Sequence, residues 1–385
     1  MILKKNILII TDFFYPGHKA GGPVRTLLNT INALKTEYNF YIICKNHDFG
    51  DKKPYENLVF NKWTKIEEFN VYYCDKRSWN LIGLKKIILG IKYDLIYLNS
   101  IFSLKSTLYT LLISKIFLKN NKFIIAPRGQ FSVDAFKNKP FIKTIYLFFF
   151  KVLISNFKVL FQASSQIEKN DIINFLPKID KSTIKIAPNI PEQNFSKRRS
   201  LSSFKKDEKL NLVFVSRIHR IKNLNFLIDV LKNLKTNVKL DIYGIIEDKE
   251  YFSELTSQIN EFELQNLVNY KGDLKPNEVL DILSNYDLFV LPTKSENFGH
   301  VIYESCRSGT PVIISNKTPW FTQGDGSITT IDLEITSWVN VLEEWGDFTQ
   351  KDLFEKHLAT LDFAKKYLNK NDSVNKFKHI VETLL

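Results

Sequence analysis

The sequence predicts an α/β protein with two doubly wound, Rossmann-like domains and a cleft between them. Short runs of Ile, Val, Leu and Phe alternate with amphipathic helical segments along most of the 385 residues. One polar, basic stretch at 191–209 interrupts the alternation, and the chain is long enough for two domains of ordinary size. Two such segments joined by a linker favour two domains with parallel sheets.

The first domain is predicted over 1–190. Its strands are continuous apolar runs, which are typical of parallel strands buried on both faces. In chain order the elements are the strand NILIITDF, the helix GGPVRTLLNTINALKT, the strands NFYIICK and YDLIYLNS, the helix LKSTLYTLLISKIF, the strand KFIIAPRG, a helix near 140–156, the strand FKVLFQAS, a helix near 165–175 and the strand TIKIAPN.

The alternation restarts after the linker and predicts a second domain over 210–355. Its elements are the strand LNLVFVSR, the helix NLNFLIDVLKNL, the strand VKLDIYG, the helix EYFSELTSQINEF, the strand LVNYKGDL, the helix NEVLDILSN, the strand DLFVLPT, a helix that contains Glu304 and ends at Gly309, and the strand PVIISN. Residues 356–385 are predicted to be helical and could cross back to the first domain.

The chain is basic, with 54 Lys and Arg against 41 Asp and Glu and a net charge of +13. This balance favours anionic partners such as nucleotide phosphates, nucleic acid or an acidic membrane surface, without choosing among them. Only eight of the cations are Arg. We therefore expect Arg rather than Lys at positions where a planar guanidinium makes bidentate contacts. Arg25, Arg128 and Arg217 each fall near the end of a predicted strand.

Three scattered cysteines without a CxxC argue against disulfides and zinc, and favour a reducing cytoplasm. The start of the chain resembles a signal peptide, but Asp12 interrupts it and no small-residue cleavage site follows, so a first strand is predicted. No apolar stretch approaches the ~20 residues of a membrane-spanning helix. The protein is expected to be soluble or to sit on a membrane surface.

Glycines and cations gather where the predicted strands end. Ligands of open parallel sheets bind at this edge, and the helix that begins near Gly299 adds free N–H groups and the positive end of its dipole. The edge is therefore predicted to bind a phosphate or diphosphate. Its residues are Gly17, Gly21, Gly22, Arg25, Arg128, Gly129, Arg217, Lys222, Gly244 and 296–299.

Two of these groups have a structural alternative. Arg217 and Lys222, five apart, could grip a diphosphate or could form a solvated basic loop. Gly21 and Gly22 could let a phosphate approach the backbone or could form a tight turn. The chain has no GxGxxG, which weakens an NAD-binding interpretation.

Two carboxylates flank the start of the helix that follows DLFVLPT. Glu296 precedes this helix and Glu304 lies about two turns further on. Carboxylates accept hydrogen bonds from sugar hydroxyls and from the adjacent hydroxyls of a ribose. A nucleotide sugar could therefore lie along this element, although an isolated pair would more simply be a helix-start acid and a solvated Glu.

The pattern as a whole resembles the retaining glycosyltransferases of family four, which have the GT-B fold. The resemblance covers nearly the whole chain. The segment PTKSENFGHVIYESCRSGTPVI matches the E-x7-E signature with its trailing G-x-P-V, and it is specific in this order and spacing. The other matching segments, individually weak, are FFYPGHKAGGPVRTLLN, LVFVSRIHRIKNLNFLIDVL and LDIYG.

The resemblance implies a set of site residues. Arg217 and Lys222 would bind the donor diphosphate, and Glu296 would contact the donor sugar; these three are the predicted catalytic residues. Glu304 would bind the ribose. The other predicted donor-binding residues are Gly21, Gly22, Gly244, Gly272, Leu274, Asn297, Phe298 and Gly299.

Arg128 departs from the family pattern, because many members carry a His at that place. The role of that His cannot be transferred, and Arg128 could bind an acceptor or a phosphate or could brace its loop. Arg25 is assigned with it to the acceptor or the cleft. The resemblance also implies retention of the anomeric configuration. Because Arg217, Lys222 and the helix dipole can stabilise the leaving phosphates, and the chain has no D-x-D, no metal and no cofactor are expected.

The acceptor is less defined. The segment 141–161 carries Lys143, Lys151 and Lys158 among aromatic residues, and it could lie on an anionic bilayer or could include a long core helix with lysines that reach solvent. The first alternative implies a lipid-linked saccharide acceptor in bacterial surface-glycan assembly, such as O-antigen or capsule, on the inner face of the plasma membrane.

Two other functions compete with sugar transfer. A same-fold epimerase or phosphorylase would act on nucleotide sugars or phosphosugars, although we locate no pyridoxal lysine of the starch-phosphorylase kind. A basic nucleic-acid-binding protein is a remote alternative. No nucleic acid is expected as a partner, because the lysines are spread over the whole chain and no recognition-helix, zinc-finger or RNP pattern is present.

Overall fold

The computed structural model describes residues 4–118, 121–132, 136, 140–196, 199–203 and 209–385. The chain divides into two compact units: unit 1 is Met1–Ile190 with Asp372–Leu385, and unit 2 is Pro191–Asn371. Of the predicted linker, residues 197, 198 and 204–208 lie outside the described part, and the rest of it belongs to unit 2.

Unit 1 is built on an eight-stranded sheet. Its strands are β1 (Lys5–Ile10), β2 (Tyr38–Lys45), β3 (Trp63–Ile66), β4 (Phe69–Cys74), β5 (Leu95–Leu98), β6 (Lys122–Ile125), β7 (Lys158–Ala163) and β8 (Ile184–Ile186). They lie in the order β3-β4-β2-β1-β5-β6-β7-β8. Among the described pairs only β3–β4 is antiparallel.

Helices cover both faces of this sheet. Ile7 and Ile9 of β1 belong to one hydrophobic cluster, whereas Leu8 and Ile10 belong to another. This alternation follows from the period of two along a strand and explains why the strand is apolar throughout. The helices are α1 (Gly22–Leu34), α2 (Leu81–Leu89), a π-helix (Leu104–Tyr109) that runs into α3 (Thr110–Phe117), α4 (Pro140–Ile154) and α5 (Gln166–Phe175).

Unit 2 is built on a six-stranded sheet whose described pairs are all parallel. The strands are β9 (Leu210–Val215), β10 (Val238–Tyr243), β11 (Val268–Gly272), β12 (Leu288–Leu291), β13 (Val312–Ser315) and β14 (Ile328–Ile331), in the order β11-β10-β9-β12-β13-β14. The helices are α6 (Leu224–Lys232), α7 (Lys249–Glu261), α8 (Val279–Leu283), α9 (His300–Ser308), α10 (Ile335–Asp347) and α11 (Gln350–Lys370).

The last helix, α12 (Ser373–Leu384), belongs to unit 1. Its Phe377 and Ile380 are buried in the cluster that also holds β1 residues, and the Phe377 ring lies 5.8 Å from the Tyr97 ring. The preceding α11 starts at a capping box formed by Thr349 and Asp352 and runs unbroken to Lys370. The boundary predicted at 356 therefore falls inside a helix of unit 2.

The predicted α/β class with two Rossmann-like domains is confirmed, and every predicted strand and helix is present. One edge departs from the predicted parallel arrangement, because β3 pairs antiparallel with β4. Sequence analysis did not predict β3, β4, β14, α2 or α10. The strand β3 is half-exposed, and β14 reads ITTI, so neither presents a continuous apolar run.

The three cysteines, Cys44, Cys74 and Cys306, are free and buried. Within the described ranges, we find no helix that combines the length and the apolar character needed to span a membrane.

We predict that Phe377→Ala lowers the stability of unit 1 by roughly 3–5 kcal/mol, because it removes a buried ring and leaves a cavity in the core. Differential scanning calorimetry should show that the transition in which unit 1 unfolds occurs at a lower temperature than in the wild type. Lys376→Ala, on the exposed side of the same helix, should melt like the wild type. Identical profiles for the two variants would mean that α12 does not stabilise unit 1.

Candidate active site

Lys222 and Glu296 form an ion pair at the carboxyl edge of the unit 2 sheet. The Lys222 Nζ lies 2.5 Å from the Glu296 Oε2, and the two side chains are only 10% and 17% exposed. Lys222 ends a single 3₁₀ turn that follows β9, and Glu296 lies in the loop after β12. Two of the three predicted catalytic residues are therefore brought together, 74 positions apart in sequence.

Backbone hydrogen bonds hold these two loops against each other. The carbonyl of Ile221 accepts from the Lys294 amide at 2.8 Å and from the Thr293 hydroxyl at 3.1 Å. The 3₁₀ turn is capped at its start, where the His219 side chain accepts from the Ile221 amide. These bonds fix the backbone of the two loops from which the ammonium and the carboxylate extend toward each other.

Arg217, the third predicted catalytic residue, lies on the same loop and pairs with a different carboxylate. Its Nη1 lies 2.6 Å from the Glu247 Oε2, and the side chains are 41% and 24% exposed. The loops after β9 and β10 continue the parallel pairing of their strands, because Ile218 bridges to Ile246 and its amide donates to the Ile245 carbonyl at 2.8 Å. Both predicted phosphate-binding cations therefore already hold a carboxylate.

Gly244 is required by the close approach of these two loops. It has a φ of +138°, and a Cβ built there would lie 1.8 Å from the carbonyl oxygen of Ser216. Its amide donates to the carbonyl of Gly272 at 2.8 Å. Gly272, with a φ of +89°, has open space around a built Cβ, and Leu274 packs partly buried against the core. The assignment of these three residues to a nucleotide base stays a prediction.

The segment 296–299 forms the turn into α9. The Asn297 amide donates to the Glu296 Oε1 at 3.2 Å, and the carbonyl of the buried Phe298 accepts from the Trp320 Nε1 at 2.5 Å. Gly299 has a φ of +73° at the helix N-terminus, a conformation that favours glycine. The helix starts where the sequence places it, so its positive end lies beside Glu296.

Glu304 is buried in the second turn of α9, with 4% of its surface exposed. It is therefore not the solvated surface acid of the simpler alternative. One turn later Arg307, 1% exposed, pairs through its Nη2 with the Glu192 Oε2 at 3.0 Å and donates from Nη1 to the Asn194 carbonyl. This arginine, which sequence analysis missed, ties the start of the predicted linker to the helix that carries Glu304.

In unit 1 the glycine loop forms a tight turn that leads into α1. The Gly21 amide donates to the His18 carbonyl at 2.8 Å, and Gly21 has a φ of +70°. The buried carboxylate of Asp48 accepts from the His18 and Lys19 amides at 2.7 and 3.0 Å. The loop therefore contains a tight turn at Gly21, and the assignment of Gly21 and Gly22 to a phosphate stays a prediction. Gly22 and the half-buried Arg25 lie at the start of α1.

Arg128, in the loop after β6, braces the end of β5 and the loop after β8. Its Nε donates to the Asn99 Oδ1 at 2.8 Å, its Nη1 to the Asn189 Oδ1 at 2.5 Å, and its Nη2 to the Tyr97 hydroxyl. Burial raises the pKa of the Tyr97 phenol, although the Arg128 charge acts in the opposite direction. The protonated phenol donates in turn to the Gln162 Oε1 at 2.8 Å. Of the three roles predicted for Arg128, the structure displays the bracing one.

Sequence analysis missed several residues that shape these loops, among them Asp48, Asn189, Glu247 and Arg307. Each is a lone polar residue without a motif, and its partner lies 30 to more than 100 positions away. Of these four residues, only Arg307 could have been noticed in the sequence. Arg is scarce in this chain, so each Arg is expected where a planar guanidinium is needed for bidentate contacts.

Comparison with known proteins finds a family match over part of unit 2. Residues 196–323, which contain Arg217, Lys222, Glu296 and Glu304, match the family described as "Glycosyl transferases group 1". The chain is 25% identical over 373 residues to an uncharacterized 41.2 kDa protein in the cps region of Klebsiella pneumoniae, with 94% of this chain and 97% of the relative covered.

Two further similarities bear on the fold and the ligand. The alpha-monoglucosyldiacylglycerol synthase of Streptococcus pneumoniae is 30% identical over 161 residues, with 39% of this chain and 35% of the synthase covered. The crystal structure of Anabaena Alr3699/HepE in complex with UDP-glucose matches with a TM-score of 0.73 at 20% identity and covers 99% of both chains. This likeness shows the fold, so the predicted GT-B fold is confirmed.

We predict that Arg128→Lys destabilises unit 1 by about 1–3 kcal/mol, because one ammonium cannot serve the three acceptors Tyr97, Asn99 and Asn189, and buried acceptors lose their donor. Urea unfolding of the variant measures the loss. Arg77→Lys, at an exposed position of the same unit, should stay within about 0.5 kcal/mol of the wild type. A midpoint for Arg128→Lys equal to that of this control would contradict the bracing role.

Proposed function

We propose that this protein is a group 1 glycosyltransferase that moves a hexose-type sugar from a nucleoside-diphosphate sugar to a saccharide acceptor, with retention of configuration, in the assembly of a bacterial surface glycan. The observation that carries the proposal is the largely buried Lys222–Glu296 pair, with Arg217 on the same loop, at the carboxyl edge of the unit 2 sheet. This edge is where open α/β sheets bind their ligands.

The donor site in this proposal uses the charges of unit 2. Departure of the nucleoside diphosphate places negative charge on the leaving phosphates, and Arg217, Lys222 and the positive end of α9 would stabilise it without a metal. Glu296, held against Lys222, would accept hydrogen bonds from the sugar hydroxyls, and Glu304 from the ribose. Gly21 and Gly22 of unit 1 remain proposed phosphate contacts.

The proposed chemistry follows from this charge distribution. The bond between the anomeric carbon and the diphosphate breaks while an acceptor hydroxyl attacks from the same face, and its proton passes to the departing phosphate. Glu296 supports the positive charge that develops on the sugar. No residue of the described site is assigned as a covalent nucleophile.

The relatives suggest which substrates to test first. The Anabaena protein was crystallised with UDP-glucose, and the Streptococcus pneumoniae relative is named for a glucosylated diacylglycerol, which supports a UDP-hexose donor and a lipid-linked acceptor. The Klebsiella pneumoniae relative lies in a cps region, which supports a role in surface-glycan assembly.

We predict that one nucleoside diphosphate among UDP, GDP and ADP raises the melting temperature of the protein, with or without EDTA. Arg217→Ala should weaken its binding roughly 10- to 100-fold, because a charge-assisted phosphate contact is lost. Glu304→Gln should also weaken it, since one ribose acceptor becomes a donor. Thermal shift and titration calorimetry with the diphosphates and their sugars measure both effects.

The control for this experiment is Arg220→Ala. Arg220 lies on the same loop as Arg217 but pairs with Glu254 on α7, so its loss should leave nucleotide binding unchanged. If no member of the panel shifts the melting temperature of the wild type, the donor-site assignment fails.

An exposed apolar surface of unit 1 is the basis for our proposal of where the acceptor is located. The helix α4 buries only Leu147 and Phe150, and its Phe141 and Phe148 are 76% and 65% exposed, so core packing accounts for one side of the helix alone. The helix α3 and the π-helix pack beside it, and α2 packs against both of these. We define the apolar face by Leu81, Ile82, Leu89, Leu104, Ile116, Phe117, Phe141, Ile142, Ile145, Phe148, Phe149 and Val152.

Lysines stand among these apolar side chains. Lys85 lies 3.7 Å from the centroid of the Phe117 ring, Lys115 donates to the Val152 carbonyl, and Lys151 is exposed on α4. An apolar surface interleaved with cations suits an anionic bilayer, because the rings enter the headgroup layer while the ammonium groups meet lipid phosphates. We therefore propose peripheral attachment to an anionic membrane, where a lipid-linked acceptor resides.

We predict that the protein floats with liposomes that contain anionic lipid and much less with zwitterionic ones, and that binding falls at high salt. The double variant Phe141→Ser/Phe148→Ser should lose most of this binding. Phe321→Ser, which removes an equally exposed ring (77%) from unit 2, should bind like the wild type. No flotation at low salt would rule out the membrane surface.

A further inference from the structure

We infer that Glu247 is a counter-ion that holds Arg217 when no donor is bound, yields it to the diphosphate, and thereby sets the affinity for the departing nucleotide. The inference rests on the proposed function and deepens it, since it concerns how the same site releases its product. No motif assigns a role to Glu247, which lies in the loop after β10.

The position of Glu247 is fixed by the backbone. Its own amide donates to the carbonyl of Ile218 at 3.3 Å, next to the bridge between Ile218 and Ile246. The absence of a side chain at Gly244 lets the Ser216 carbonyl pass close to the same loop. The carboxylate therefore stands beside Arg217 because two paired strand extensions place it there.

The two ion pairs of the site differ in how readily they open. The Lys222–Glu296 pair is 10% and 17% exposed, so its separation would leave a buried charge unpaired. The Arg217–Glu247 pair is 41% and 24% exposed, and a single guanidinium nitrogen makes the described contact. Water screens such a pair and replaces its partners, so Arg217 is the cation that can exchange its anion at low cost.

The charge count explains what the exchange does. Arg217 and Lys222 carry two positive charges, and Glu247 and Glu296 carry two negative ones, so the four groups together are neutral. A diphosphate then competes with Glu247 for Arg217. After sugar transfer, Glu247 reclaims the guanidinium and weakens the binding of the nucleoside diphosphate. Product release of this kind limits the rate of many enzymes.

The loop offers a matched control. Arg220 pairs with Glu254 through two hydrogen bonds, of 2.8 and 2.6 Å, and its Nε lies 3.4 Å from the Asp248 Oδ2. This pair has the same chemistry, lies on the same 3₁₀ turn as Lys222 and reaches α7 rather than the loop of Gly244. Glu254→Gln removes the same charge from the molecule as Glu247→Gln does.

The experiment compares the wild type with Glu247→Gln and Glu254→Gln at low and high salt. For each protein it measures the Kd of UDP, GDP, ADP, the matching nucleosides and inorganic pyrophosphate. We expect Glu247→Gln to bind the preferred diphosphate and pyrophosphate about 3- to 10-fold more tightly at low salt. The gain should shrink at high salt and be absent for the nucleoside. Glu254→Gln should match the wild type. Product inhibition of transfer should strengthen in Glu247→Gln alone.

The outcomes separate the two proposals. If the wild type binds a nucleoside diphosphate but Glu247→Gln binds it no more tightly than Glu254→Gln does, the counter-ion role is overturned and the donor site stands. Weaker binding by Glu247→Gln would instead make Glu247 an anchor that orients Arg217, which also overturns it. If the wild type binds none of the diphosphates, the proposed function fails and this inference fails with it.

Discussion

The parallel alignment of β10, β9 and β12 is the constraint on which the candidate site depends. These strands are neighbours in the unit 2 sheet, so the loops that leave their carboxyl ends are neighbours too, although they are distant in sequence. The three loops carry the pairs Lys222–Glu296 and Arg217–Glu247. A lysine this deeply placed is stable because a carboxylate stands against it. The sheet sets the geometry, and the charges fix the loops to each other.

In unit 1, hydrogen bonds from a few side chains hold the loops at the strand ends, beside ion pairs such as Lys45–Asp12. Single side chains serve several groups at once: the buried Asp48 accepts from two amides of the glycine loop, and the half-buried Arg128 donates to three acceptors. Glu168 accepts from the amides of Gly129 and Ser164 at 2.5 and 2.7 Å. The irregular backbone at the strand ends is thus satisfied internally before any ligand binds, which is what precise positioning of a substrate requires.

The sequence was sufficient for the fold and for part of the site. Long apolar runs predict buried parallel strands, and the spacing of Glu296 and Glu304 places both on one helix start. Short or polar strands such as β14 cannot be predicted in this way, because four residues without an apolar run do not form a recognisable hydrophobic pattern. The role of Glu247 could not be predicted for another reason. Its contact with Arg217 exists only because two strands are adjacent, and adjacency in a sheet is a property of the topology rather than of any local pattern.

Unit 1 is assembled from two stretches of chain separated by the whole of unit 2. Because α12 contributes buried residues to its core, the ribosome must deliver every residue of unit 2 before that core can close. Unit 2, in contrast, is continuous and can finish folding first, which inverts the usual order in which the amino-terminal domain matures during synthesis. Until α12 is synthesised, unit 1 therefore exposes the apolar surface that this helix will cover. Exposed apolar surface of this kind is what chaperones bind.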